Sequence, residues 1–205
     1  MIKKLLVTGF EPFGGSALNP SGLLLQRLCS PPGWELRTAL LPVCSAGLPT
    51  ALENALNSSP PGLVLSLGEA RGSERFRIER VAKNRLDFSI PDNSGRRIES
   101  SPILSGGACQ LLATLPAEPA REALIGLKEA VALSDDAGGF LCNQAFYWLL
   151  HRFQGSSTRV GFLHLPSLPE QDFGEGVSLA RQSEAVQAVI TALCADRCSR
   201  SSTIL

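Results

Sequence analysis

The 205-residue sequence has no surplus charge of either sign, few histidines and no long apolar segment. Lys and Arg together number 19, as do Asp and Glu, so the formal net charge is zero. A chain without a basic surplus has little to attract nucleic acid or an acidic membrane surface, and we expect neither as a partner. The balance favours a domain that acts on something small or neutral.

No apolar run approaches the length needed to span a membrane. The short run after Lys4 ends at Thr8 and Gly9, so we expect no signal peptide and a cytoplasmic protein. Its six cysteines are then expected to stay reduced. They are scattered without a C-x-x-C pair, so we expect no metal site and no organic cofactor.

Strand-like and helix-like segments alternate along the chain. Apolar strands are predicted at 3–10, 34–43 and 62–68, with helices predicted between them at 20–29 and 48–59. This order predicts an α/β fold with a mainly parallel twisted sheet. The same alternation returns near the C-terminus, and residues 1–205 are expected to form a single domain.

The middle of the chain does not follow this alternation of strands and helices. Residues 75–97 mix alternating apolar positions with the turn sequence Pro-Asp-Asn-Ser-Gly. Such a pattern predicts a β-hairpin or an extended excursion from the sheet.

Cys142 follows a glycine pair and lies near the start of the apolar segment 140–153, "FLCNQAFYWLLHRF", which is predicted to be a helix. At a helix start, free backbone N–H groups favour a thiolate and can hold an oxyanion. The alternative is a cysteine that packs on the buried face of the helix, which is common for free cysteines. The local sequence alone favours this second interpretation.

The only two histidines, His151 and His164, bear on that choice, because a cysteine hydrolase needs a base. His151 lies about two and a half helical turns after Cys142, too far for contact. His164 lies at the exit of a predicted strand and is the favoured partner. A third group should orient its imidazole, and the spacing leaves five candidates open: Glu79, Asp87, Asp92, Asp135 and Asp136.

Four motifs, in this order along the chain, resemble those of the pyroglutamyl peptidase type I family, also called pyrrolidone-carboxylate peptidases. They are "VTGFEPFGG" with "NPS", "IERVAKN" with "IPDNSG", "AGGFLCN", and "GFLHLPSLPEQ". The resemblance implies a three-layer α/β/α sandwich that forms one catalytic domain. It implies a triad with Cys142 as nucleophile, His164 as base and acid, and Glu79 as the group that orients the histidine.

The family removes N-terminal pyroglutamate from peptides through an acyl-enzyme, so such peptides are the partners that the resemblance implies. It also implies a homotetramer as one expected assembly. A neutral lactam needs an apolar pocket with a few polar groups. The side chains that the resemblance assigns to the substrate pocket are Phe10, Phe13, Asn19, Glu69, Ile90, Phe140 and Leu141.

Three places depart from the family pattern, and one of them is the stretch "AKNRLD", which replaces the usual aliphatic–Asn–aliphatic sequence. Glu69 stands where the family commonly has glutamine, and Ser89 stands where it often has arginine. A carboxylate only accepts hydrogen bonds, whereas an amide also donates them. The alternative function is therefore a divergent member with a changed pocket, which either hydrolyses another amide or serves only as a binding protein.

Overall fold

A computed structural model describes residues 2–56, 60–171 and 173–199. Numbered in chain order, the strands are β1 (Lys3–Phe10), β2 (Trp34–Leu41), β3 (Leu63–Glu69), β4 (Phe76–Glu79), β5 (Val81–Lys83), β6 (Gln110–Leu112), β7 (Val131–Ser134) and β8 (Arg159–Leu165). The helices are α1 (Pro20–Leu24), α2 (Leu48–Leu56), α3 (Ala117–Gly126), α4 (Leu141–Arg152) and α5 (Leu179–Ser199). The predicted helix at 20–29 is therefore shorter than expected, and residues 57–59 of the second predicted helix lie outside the described residues.

Six strands form the central sheet, in the order β2-β1-β3-β8-β4-β7. The first four of these are parallel, as predicted. β4 runs antiparallel to β8 and parallel to β7, so the sheet is mostly parallel but mixed. This reversal brings residues of the predicted middle excursion into the sheet beside the end of β8.

Alternation along the strands divides the core into two layers. Leu63 and Leu65 of β3 pack in one cluster with residues of α1, α3 and α5, whereas Val64 belongs to a second cluster with residues of α2 and α4. The α/β/α sandwich is thus confirmed. Phe162 of β8 lies in the α2 and α4 layer, so His164, two residues further on, points to the same side.

The middle excursion leaves the sheet after β4. Backbone hydrogen bonds pair Leu86 with Ser101, Phe88 with Ile98 and Asp92 with Arg96, around the predicted turn. This confirms a hairpin-like excursion. Its outer strands, β5 and β6, pair antiparallel with each other although 26 residues separate them, so the element is longer than a tight hairpin.

Asn143 fixes the excursion to the start of α4. Its Oδ1 accepts from the Lys83 N–H at 2.9 Å, and its Nδ2 donates to the carbonyls of Lys83 and Arg85, both at 2.8 Å. The side chain is fully buried. Three backbone groups of the excursion therefore depend on one amide.

Replacing Asn143 with Ala should lower the free energy of unfolding by about 2–4 kcal/mol, because it leaves these buried backbone groups unpaired. Denaturant unfolding measures the loss. The control is Gln154→Ala just beyond the other end of α4, where the side chain is exposed and a change within about 0.5 kcal/mol is expected. Equal stabilities for the two variants would contradict the anchoring role.

Candidate active site

Cys142 is the second residue of α4, in the first turn where backbone N–H groups have no acceptor within the helix. Phe140 occupies the N-cap position, and its side chain makes no capping hydrogen bond. The chain reaches this point through Gly139, where a Cβ would lie 2.8 Å from the Asp87 carbonyl oxygen. Only glycine allows this approach, which fixes the direction in which α4 begins.

Gly68, the second-to-last residue of β3, lies directly against the Cys142 thiol. A Cβ at this position would lie 2.7 Å from Cys142 Sγ and 2.8 Å from the Phe162 ring. The absence of a side chain here lets the thiol sit against the sheet. Cys142 is partly buried, and the structure places it at the carboxyl end of β3, as expected for a site in this type of sheet.

His164 and Glu79 form a buried pair. His164 Nδ1 lies 2.8 Å from Glu79 Oε1, and the two residues are only 3% and 1% exposed. With Nδ1–H donating to the carboxylate, Nε2 is left as the acceptor nitrogen of the imidazole. His151, expected to take no part, is exposed in the last turn of α4.

The other four candidate carboxylates have different partners. Asp87 pairs with an arginine two residues before it, and Asp135 and Asp136 pair with Arg80 and Lys83. Asp92 accepts from backbone N–H groups of the excursion turn and of Ser45. Among the five, Glu79 is the one in contact with His164.

Burial governs the charges of the cysteine and the histidine. It raises the pKa of Cys142 to about 12, the carboxylates of Glu79 and Glu69 add to this effect, and Arg77 opposes it. Burial also lowers the pKa of His164 below 6.5, although Glu79 opposes that shift. Both shifts disfavour the charged forms of the two groups, so burial opposes the thiolate that the first turn of α4 favours.

Cys142 and His164 line one cavity of about 350 Å³. Phe13, Ile90 and Phe140 form its apolar wall. The rings of Phe13 and Phe140 are 5.8 Å apart, and Phe88 supports Phe140 edge-on from behind at 4.7 Å. The volume lies near the lower end of the range for small-molecule pockets, about 300–1,000 Å³.

The remaining predicted apolar pocket residues lie deeper. Phe10 and Leu141 are almost fully buried and border a smaller inner cavity next to Cys142. Asn19 borders it too, but its amide accepts from Ser21 and donates to the Glu11 carbonyl at 2.9 Å. These contacts hold the loop after β1 in place.

Glu69 lies at the end of β3 and is 6% exposed. Its Oε1 accepts from the Ser167 hydroxyl at 3.2 Å, whereas its Oε2 has no hydrogen-bond partner among the described residues. Burial raises the pKa of this carboxyl above 4.5, and Gln171, Arg71 and Ser167 oppose the shift. The side chain lines the cavity and can change its protonation state there.

Sequence reasoning missed three side chains around the site: Arg71, Arg77 and Asn143. Arg71 stacks between the rings of Phe13 and Phe173, 4.4 and 4.5 Å from their centres, and donates to the Phe13 carbonyl. Nothing local in the sequence indicates this sandwich. The alternation of a strand could have placed Arg77 beside Glu79, since the two are two residues apart.

Comparisons with known proteins agree with this geometry. A family model described as pyroglutamyl peptidase matches residues 3–197. The pyrrolidone-carboxylate peptidase of Thermococcus onnurineus is 38% identical over 92% of this chain and 94% of its own. That of Erwinia tasmaniensis is 40% identical over 83% and 81%.

Solved structures give the same result. The pyrrolidone carboxyl peptidase of Thermus thermophilus superposes with a TM-score of 0.87 at 41% identity, covering 92% of this chain and 99% of that one. The pyroglutamyl peptidase I of Bacillus amyloliquefaciens gives 0.88 at 30% identity, covering 94% and 97%. The chain therefore belongs to the pyroglutamyl peptidase family and is a hydrolase of the cysteine peptidase type.

Proposed function

We propose that the protein removes N-terminal pyroglutamate from peptides, with Cys142 as nucleophile, His164 as base and acid, and Glu79 as the group that orients His164. The observation that carries the proposal is a single cavity lined by both a helix-start cysteine and a buried, carboxylate-bound histidine. Family membership supports the substrate class. Within the described residues no helix is both long and apolar enough to cross a bilayer.

In the first half of the reaction, Cys142 Sγ attacks the carbonyl carbon that joins pyroglutamate to the next residue. Because the thiol is neutral in the free protein, its proton moves to His164 Nε2 as the S–C bond forms. First-turn N–H groups of α4 stabilise the oxyanion. The C–N bond then breaks, the leaving nitrogen takes the proton from His164, and a thioester remains.

In the second half, water attacks the thioester carbonyl while His164 Nε2 accepts a proton from it. The S–C bond breaks and the Cys142 sulfur recovers the proton from His164. Pyroglutamate leaves with a new carboxyl group, and the site returns to its neutral state. Throughout, the Glu79 side chain accepts from Nδ1–H and stabilises the imidazolium form of His164.

The cavity suits a flat, neutral ring. Phe13 and Phe140 can cover the faces of a lactam, and Ile90 closes the side. Glu69 offers the polar recognition, because its Oε2 is buried without a partner in the described part of the chain. As a carboxylate it accepts from the lactam N–H, and in its protonated form it also donates to the lactam carbonyl.

The first test is turnover of a pyroglutamyl fluorogenic amide. Replacing Cys142 with Ser should lower kcat by about 10⁴-fold or more, with an unchanged circular dichroism spectrum. Cys109→Ser is the matched control, since Cys109 is an exposed thiol away from the cavity, and it should keep full activity. Activity retained by the Cys142 variant would refute the nucleophile.

A prolyl amide that lacks the ring carbonyl separates the alternatives. We expect it to be rejected, because a site built for a polar group binds poorly to a ligand without it. Equal turnover of both amides would favour hydrolysis of another amide. Binding of pyroglutamyl peptides without turnover by the native chain would favour a binding protein.

Glu69→Gln should strengthen binding of 2-pyrrolidone, a neutral lactam, by about five-fold at pH 8, because the amide supplies a donor that the ionised carboxylate lacks. Burial raises the pKa of Glu69, so the native site loses its donor as pH rises and its inhibition constant should increase between pH 5 and pH 8. The Gln variant should show no such increase. Inhibition assays across this pH range measure both effects.

The matched control is Glu74→Gln, which removes the same charge from an exposed side chain five residues away. It should behave as the native protein does. Identical pH dependence of lactam binding in the Glu69 variant and the native protein would contradict the assigned role of Glu69.

A further inference from the structure

Arg77 lies directly opposite His164 in the antiparallel pair of β4 and β8. Glu79, two residues further along β4, projects to the same face of the sheet. Arg77 Nε lies 3.4 Å from Glu79 Oε1, the same oxygen that accepts from His164. The guanidinium also lines the cavity beside Cys142. One strand thus presents a cation and an anion to the histidine.

The contact between Arg77 and Glu79 is ionic rather than a well-formed hydrogen bond. Arg77 Nε has no hydrogen-bond partner in the described chain, and its side chain is 36% exposed on the cavity wall. A long contact without a hydrogen bond contributes little to holding β4 in place. It places a positive charge where it acts on the field of the site.

The second cation at the cavity, Arg71, has a different task. It is held between Phe13 and Phe173 and donates to the carbonyls of the loop at Phe13 and Gly14. The remaining ionisable groups that line the cavity, besides Cys142 and His164, are the carboxyl of Glu69 and the guanidinium of Arg77. Arg77 is therefore the cation in direct contact with the buried carboxylate of Glu79.

We propose that Arg77 is a positioning residue of the peptidase reaction, which acts through Glu79 and favours the negative charge that Cys142 carries when it gives up its proton. The inference rests on the proposed function for the identity of the reaction. When the proton has moved, the charges in sequence are Arg77 positive, Glu79 negative, His164 positive and Cys142 negative. Each neighbour in this row attracts the next, whereas without Arg77 the row carries a net negative charge that opposes the thiolate.

The titration of Cys142 agrees with this arrangement, whereas at His164 the charge of Arg77 opposes the imidazolium. Arg77 lowers the pKa of the Cys142 thiol and lowers the pKa of the His164 imidazole. Removing its charge should therefore raise both pKa values. A higher His164 pKa moves the acid limb of kcat/KM to higher pH, and a higher Cys142 pKa slows alkylation of the thiol at a fixed pH.

The test compares Arg77→Gln with Arg80→Gln. Arg80 is the next arginine along the chain, and it pairs with the exposed Asp135. In the Arg77 variant we expect kcat/KM at pH 7 to fall about ten-fold, chiefly through kcat, and the acid limb to rise by about one pH unit. Iodoacetamide should modify Cys142 several-fold more slowly, as followed by peptide mass spectrometry. Arg80→Gln should match the native protein in every respect.

Arg77→Lys supplies the rescue, because it keeps the charge. It should restore the native acid limb and most of kcat, and it decides the matter if the Gln variant does not fold. A native acid limb together with a native alkylation rate in Arg77→Gln overturns the proposal, even if the variant has lost activity. A shifted acid limb in Arg77→Lys also overturns it. Alkylation needs no substrate, so a chain inactive on pyroglutamyl amides would refute the proposed function and still report whether Arg77 governs the thiol.

Discussion

The hydrogen bond between His164 Nδ1 and Glu79 is the contact on which the rest of the site depends. It joins β8, which ends the parallel part of the sheet, to the adjacent strand β4. It forms because β4 runs antiparallel to β8. A carboxylate and an imidazole buried to this degree are held together in a low dielectric, where an unpaired partner would be costly. The pairing directs Nε2 to be the basic nitrogen, and it leaves the cavity face of the imidazole available to Cys142.

Burial shifts the pKa values of Cys142 and His164 away from their charged forms. Cys142 sits over Gly68 in a partly buried position, and the two carboxylates near it disfavour a thiolate. Burial also lowers the pKa of His164 and so disfavours its imidazolium form. In the proposed reaction, the proton of Cys142 accordingly moves to His164 during attack rather than before it. In that proposal, the first turn of α4 and the ion pair on β4 balance the charge that develops.

The sequence was sufficient for the parallel strands, for the helix that carries Cys142 in its first turn and for the place of His164 near the end of β8, because periodicity and strand ends are local signals. It could not choose Glu79 among five carboxylates from spacing alone, since that choice depends on β4 joining the sheet in reverse. The family resemblance supplied it. The Arg71 sandwich joins Arg71 to Phe13, 58 residues before it, and to Phe173, 102 residues after it, and the raised pKa of Cys142 reflects burial, so neither has a signature in the local sequence.

The central claim is that Glu79 holds His164 as the neutral tautomer protonated at Nδ1. The chain has two histidines, so a tag-free His151→Gln variant labelled with ¹⁵N-histidine gives the signals of His164 alone. Between pH 7 and 8, the nitrogen shifts should be those of a neutral imidazole with the proton on Nδ1, and in Glu79→Gln this preference should weaken. An Nε2-protonated tautomer, or an imidazolium throughout this range, would contradict the account.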